Sequence, residues 1–402
     1  MPLPAAFAMM LAIASPTATR SFDLRPGSPE RQRPYETGGH GVEPGSGAQA
    51  FLFSVALPEG DYRVTVRLGD ERKAGDTTVK AEARRLMLNH VVTRPGKAVE
   101  RSFLVNVRAP ALTPPPPNAP GGSAVRIDAR DATEFSWDEK LTLEFLGKPL
   151  VRSVRIEPVT APTAFLAGDS TVTDQYAEPT ASWGQMLPAM LDDMVIVANH
   201  AKSGATLKSF LTDLRFDKLL SRMKAGDWLF IQFGHNDQKK EWPQTYVDAA
   251  VAYPAWLRAY IAEARRRGAQ PVLVTSPERR NFDAQGKIMD TLGAYAGAVR
   301  KLAAEEDVPL IDLNADSRTI YEALGPDVAP TAFNDGGRDK THHNDYGAWL
   351  LASAVAERVR TQVPGLAAHV TMPPFSPARP PAASVVPIAA SLIRSDQRPA
   401  GN

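Results

Sequence analysis

The chain contains no cysteine, which excludes disulfides, thiolate metal sites and a cysteine nucleophile. It lacks an excess of charge of either sign: Lys and Arg total 46 against 45 Asp and Glu, a formal charge of +1. A nucleic-acid partner needs a clustered positive field, so that class is set aside. After the first eighteen residues no apolar run approaches the ~20 residues that a membrane-spanning helix requires. Histidine is scarce, at 7 in 402 residues. Hard chemistry is left to Ser, Asp, Glu, Lys and those few imidazoles.

What is present reads as globular. Hydrophobic residues make up 43% and charged ones 23%, close to the averages for folded domains, and the length suits two domains. Met1 to Ala18 carries no charged side chain, with an apolar stretch from Leu3 to Ala14 and small residues at Ala12-Ile13-Ala14. Residues 1–18 therefore resemble a secretory leader, without the usual basic residue near the start, and imply a secreted or periplasmic protein. Of 35 prolines, six lie between Pro110 and Pro120 and seven between Pro373 and Pro399. The first group reads as a stiff surface loop. The second, with its Ala and Ser, reads as a disordered tail over 373–402.

Between those features the rhythm changes once. Over residues 20–160 the pattern has period two: Phe51–Leu57, Tyr62–Leu68, Phe103–Arg108, Val125–Asp128 and Leu141–Leu146 alternate, and Pro58-Glu59-Gly60-Asp61 supplies a turn. This spacing predicts an antiparallel all-β sandwich or jelly roll. Over 163–372, buried-type strands (Thr163–Ala167, Met194–Ala198, Trp228–Phe233, Pro271–Thr275, Pro309–Leu313) alternate with helical stretches such as Tyr253–Arg267 and Asp290–Glu306. Alternation of that kind predicts a parallel sheet with helices on both faces. The basic run Arg265-Arg266-Arg267 before Gly268 reads as a helix C-terminus. In such sheets reactive groups gather beyond the carboxyl ends of the strands.

Four strand-end clusters hold the polar residues of interest. Gly168-Asp169-Ser170-Thr171 presents a hydroxyl at a turn, as a helix cap or as a nucleophile. Asn199-His200-Ala201-Lys202-Ser203-Gly204 offers a backbone N–H that no side chain obstructs, or an ordinary loop glycine. Gly234-His235-Asn236-Asp237 places an amide that either closes an Asx turn or donates to a developing oxyanion. Asp339-Lys340-Thr341-His342 lets a carboxylate turn back onto an imidazole Nδ1 and leave Nε2 free to take a proton. His343 is the neighbouring decoy, and a metal reading of this cluster lacks a helix of the HExxH type.

In order and placement these blocks resemble the SGNH (GDSL-type) hydrolases. More narrowly, Phe165–Thr171, Trp183-Gly184-Gln185, Asn199 to Gly204, Phe233–Asp237 and the Asp339/His342 block are similar to the rhamnogalacturonan acetylesterase family. The resemblance implies a flavodoxin-like three-layer α/β/α catalytic domain behind an accessory β-domain. It assigns Ser170 as nucleophile, His342 as general base and then acid, and Asp339 as the orienting carboxylate. It also implies an oxyanion hole of the Ser170 and Gly204 N–H groups with the Asn236 amide, and no metal or organic cofactor. After His342, His343-Asn344-Asp345 replaces the Thr-Ser-Pro of some fungal members, which bears on the rim of the site. The partner implied is an acetylated plant cell-wall polysaccharide, in particular rhamnogalacturonan. His235 and Trp183 are candidate substrate contacts; core packing is the competing reading for Trp183 and for Trp242. Longer acyl chains (a lipase, lysophospholipase or thioesterase) and a non-catalytic carbohydrate-binding protein are the alternatives to be tested.

Overall fold

The computed structural model describes residues 18–112 and 122–395. The leader-like segment up to residue 17, the proline run Pro114–Pro117 and residues 396–402 lie outside the described residues.

Nine strands build the front part: β1 (Arg20–Asp23), β2 (His40–Val42), β3 (Phe51–Ala56), β4 (Gly60–Leu68), β5 (Gly75–Ala81), β6 (Arg85–Thr93), β7 (Val99–Val107), β8 (Lys140–Lys148) and β9 (Val151–Pro158). They form two antiparallel sheets, ordered β1-β9-β4-β7 and β2-β3-β8-β5-β6. Period two does the sorting. Along β4, Tyr62, Val64, Val66 and Leu68 enter a core shared with Phe53 and Val55 of β3 and Leu143 and Phe145 of β8. The intervening Arg63 and Arg67 point the other way, as alternation on a sandwich strand requires.

Five further strands, β10 (Thr163–Gly168), β11 (Ile196–Asn199), β12 (Trp228–Gln232), β13 (Gln270–Val274) and β14 (Leu310–Ile311), pair in parallel in the order β11-β10-β12-β13-β14. Each is apolar on both faces because each face is covered. Ala164, Leu166 and Phe230 pack with Trp183, Tyr321 and the helix Asp345–Gln362, whereas Phe165, Leu229 and Ile231 pack with the helices Arg215–Arg222, Ala252–Arg266 and Gly293–Glu305. The strand order reverses at β10, whose neighbours are β11 and β12. A crevice for ligands therefore opens beyond the carboxyl ends of β10 and β12. That is where two of the four polar clusters leave the sheet.

Two readings of the sequence need correction. Val125–Asp128 is not a strand: only an isolated bridge from Ala111 to Ala124 forms there, and the Arg126 N–H bonds instead to the Asp213 carbonyl. Residues 373–395 are not a loose tail but a strap. Tyr346 donates its hydroxyl to the Pro381 carbonyl at 2.7 Å, the Ser391 N–H donates to Glu178 at 2.7 Å, and the Leu392 N–H donates to Glu144 at 2.6 Å. Composition suggested disorder because it lacks a continuous apolar face. The strap is held instead by backbone N–H groups meeting buried carboxylates of both parts of the molecule.

Candidate active site

The cluster around Ser170 begins where β10 ends. A Cβ on Gly168 would lie 2.9 Å from the Gln232 carbonyl and 2.8 Å from Val172 Cβ, so only glycine lets the chain turn so tightly against β12. The turn is then pinned by Asp169, whose Oδ1 accepts the Thr171 N–H and hydroxyl, both at 2.9 Å. Ser170 projects from it, 4% exposed.

Asp339, Thr341 and His342 make a compact loop of their own. Asp339 Oδ1 accepts the N–H groups of Thr341 (2.8 Å) and His342 (3.0 Å), and Oδ2 faces His342 Nδ1 at 3.0 Å. A carboxylate there accepts, so Nδ1 carries the proton and Nε2 offers its lone pair. Nε2 lies 2.8 Å from Ser170 Oγ. Burial alone would raise the Asp339 pKa, but the hydrogen bond and charge of His342 outweigh it and hold the carboxyl well below the usual range. It stays ionised and orients the ring. Residues 172 positions apart in sequence thus form one Ser–His–Asp relay.

Two more loops face the same rim. Gly204 has φ of 80°, a left-handed conformation that favours glycine, at the turn before the helix Leu207–Thr212. Asn236 donates from Nδ2 to the Ala205 carbonyl at 3.1 Å, which leaves its second amide hydrogen for a ligand. Asp237 joins the two loops: Oδ1 accepts the Leu207 N–H at 2.9 Å and Oδ2 the Gly234 N–H at 3.0 Å. It is fully buried, and burial pushes its pKa up to about 7.

The remaining candidates separate cleanly. His235 lies beside the relay with Nδ1 3.3 Å from Asp169 Oδ2, and burial lowers its pKa, so a neutral ring borders the site. Trp183 does not border it. Its side chain is fully buried and its Nε1–H donates to Gln232 Oε1 at 2.8 Å, so the expectation of a substrate contact is corrected to one of core packing beneath the sheet. Trp242 is half-buried, with Lys239 Nζ 4.1 Å from its ring centroid. His343 turns away from His342 to Tyr321 (Nε2 to Oη, 2.7 Å), and burial drives its pKa down to about 3. One participant had no signal in sequence: Gln175 donates from Nε2 to the Ser170 carbonyl at 2.7 Å. A lone glutamine in a loop carries no pattern that would single it out.

Chemically, the arrangement presents a hydroxyl aligned on an imidazole nitrogen, with amide donors on two neighbouring loops. That is the equipment for acyl transfer through a covalent intermediate.

Comparison with known proteins agrees with this reading of the fold. Residues 166–350 match the GDSL-like Lipase/Acylhydrolase family. The chain is 41% identical over 208 residues to a protein of Bacillus subtilis (strain 168) named rhamnogalacturonan acetylesterase RhgT, covering 48% of this chain and 88% of that one. It is 28% identical over 349 residues to the uncharacterized esterase YxiM of the same organism, covering 83% and 82% respectively. The crystal structure of YxiM superposes with a TM-score of 0.50 at 25% identity, over 86% of this chain and 98% of that chain.

Proposed function

The chain belongs to the GDSL-like lipase/acylhydrolase family and is a carboxylic ester hydrolase, and from that premise we propose that it is a serine esterase removing acetyl groups from rhamnogalacturonan. The observation that carries the reaction is the 2.8 Å contact between Ser170 Oγ and His342 Nε2, with Asp339 behind the ring. Ser170 Oγ attacks the acetyl carbonyl while His342 Nε2 takes its proton. The tetrahedral oxyanion is received by the N–H groups of Ser170 and Gly204 and by the Asn236 amide. Collapse expels the sugar alkoxide, which takes the proton back from His342 and leaves an acetyl-Ser170 ester. Water, deprotonated by the same imidazole, then releases acetate and restores the hydroxyl. Every proton in the cycle passes through one nitrogen.

The choice of sugar is supported by the relatives at 41% and 36% identity, which are named as a rhamnogalacturonan acetylesterase and a probable one. Export is supported by the apolar segment Met1–Ala18, and N-terminal sequencing of protein recovered outside the cytoplasm would test it. For the activity itself, acetate release from acetylated rhamnogalacturonan, acetylated xylan and a long-chain ester is to be compared for wild type and Ser170→Ala. We expect rhamnogalacturonan to be preferred and Ser170→Ala to lose several orders of magnitude in turnover. Near-native activity in that variant would overturn the nucleophile assignment, and a preference for acyl chains of about eight carbons or more would overturn the deacetylase reading, since a long chain needs an apolar site.

A further inference from the structure

The turn between β5 and β6 reaches out of the sandwich and into the catalytic half. Two of its residues, Glu82 and Arg84, hold φ values of 56° and 61°. Residues with side chains keep that conformation only where the surroundings impose it. Glu82 is held within the sandwich, by Thr142 of β8, whereas the surroundings of Arg84 belong to the α/β unit. Arg84 is 1% exposed; its Nη1 donates to the carbonyls of Thr180 (2.8 Å) and Gln175 (3.2 Å), and its Nη2 to Asp345 Oδ1 (3.0 Å). Gln185 Nε2 donates both to the Ala83 carbonyl (2.8 Å) and to the Gln175 carbonyl (2.9 Å). Next along the turn, Arg85 Nε pairs with Asp174 at 3.0 Å.

The Gln175 main chain is therefore clamped by donors oriented from the sandwich, and its side chain does the rest. Nε2 donates to the Ser170 carbonyl at 2.7 Å and reaches Ser203 Oγ, next to Gly204, at 3.4 Å. One amide group touches the loops that carry the nucleophile and an oxyanion donor. Two hydrogen bonds, from Arg84 to the Gln175 carbonyl and from the Gln175 amide to the Ser170 carbonyl, join the sandwich turn to the main chain of the residue that carries the reacting hydroxyl.

We infer that the β-sandwich is a positioning element of the catalytic centre, acting from Arg84 through Gln175 on the Ser170 and Gly204 loops. Neither residue touches the reacting atoms; both act through Ser170. The inference rests on Ser170 being the nucleophile, and it predicts a defect in chemistry rather than in binding. A guanidinium that carried only fold stability would lower the folded fraction instead.

The test uses the full chain with Arg84→Ala, Arg84→Lys and Gln175→Met. In Arg84→Ala and Gln175→Met we expect kcat on p-nitrophenyl acetate to fall about tenfold to a hundredfold, the scale on which small misplacements act, with KM within about twofold. Phosphonylation of Ser170 by a fluorophosphonate should slow by the same factor. Arg84→Lys, which keeps a cation and a donor, should recover part of the loss, as should low-millimolar guanidinium added to Arg84→Ala. A folded variant of either Arg84→Ala or Gln175→Met with kcat within about twofold of wild type overturns the inference. So does a loss fully accounted for by a reduced folded fraction in near-UV circular dichroism. If Arg84→Ala does not fold, Gln175→Met decides alone. Should wild type fail to be labelled at Ser170, the esterase reading itself falls; labelling of wild type and variants at equal rates sinks only the positioning role.

Discussion

At Asn236 the amide has two hydrogens and one of them is already committed to the Ala205 carbonyl. The other is the side-chain donor assigned to the oxyanion, so Asn236→Ala should lower kcat by about 10²- to 10³-fold with little change in KM, the loss typical of one such donor. A loss below about tenfold would reassign it to loop structure. The two adjacent histidines make a sharper pair. His342→Ala should abolish turnover, whereas His343→Gln should keep it within about tenfold, because His343 bonds to Tyr321 rather than to the relay. Equal losses in both variants, in protein that still folds, would contradict the assignment. The Asp339–His342 contact was legible in sequence because an Asp three residues before a His, in one loop, can reach only a few partners. Trp183 carried two readings for the opposite reason: a tryptophan near a motif carries no mark of its depth.

Strands and helices explain why the loops stay in place. Asp237 spans from the end of β12 to the first turn of the helix Leu207–Thr212, taking one N–H on each carboxylate oxygen. Only the ionised form accepts at both oxygens. With its pKa pushed to about 7 by burial, protonation below neutrality removes one of the two bonds. Activity should therefore fall as pH drops below about 7. Asp237→Asn offers an acceptor to only one of the two N–H groups at any pH. It should lower kcat by about tenfold or more at pH 8, and unchanged kcat there would show that the bridge is dispensable. Strand existence was largely readable from the run of apolar residues, and β10 and β12 lie close to where periodicity placed them. Lengths were less so: β14 has two residues, where the five-residue stretch Pro309–Leu313 suggested a full strand.

For the whole molecule, buried carboxylates set the pH dependence of stability. Burial pushes Glu82 and Glu134 each to about 8 and Asp237 to about 7, against about 4 in an unfolded chain. Between those values the folded state holds protons that the unfolded state has released, so stability falls as pH rises towards 8. The opposite linkage comes from His200 and His343, which burial keeps neutral. The unfolded chain protonates them below about 6.5, so their effect is to erode stability as pH falls. Above about pH 7 the histidine contribution fades and the buried carboxylates set the trend. The melting temperature should therefore drop from pH 6.5 to 8.5 while activity rises, and Glu134→Gln should flatten that slope. A melting temperature that climbs over this range would refute the argument.

The order of the catalytic blocks, the change from period-two strands to alternating strands and helices, and the absence of thiol chemistry could all be read from the linear chain, because each is a property of neighbouring residues. Only the tertiary structure decided that Trp183 lies beneath the sheet, that the proline-rich end is a strap, and that Arg84 of the β5–β6 turn reaches the Gln175 loop beside Ser170. A charged or amide side chain reads as solvated until its partner is known. For Arg84 and Glu178 the partners stand some ninety or more positions away, a separation over which composition and periodicity carry no information.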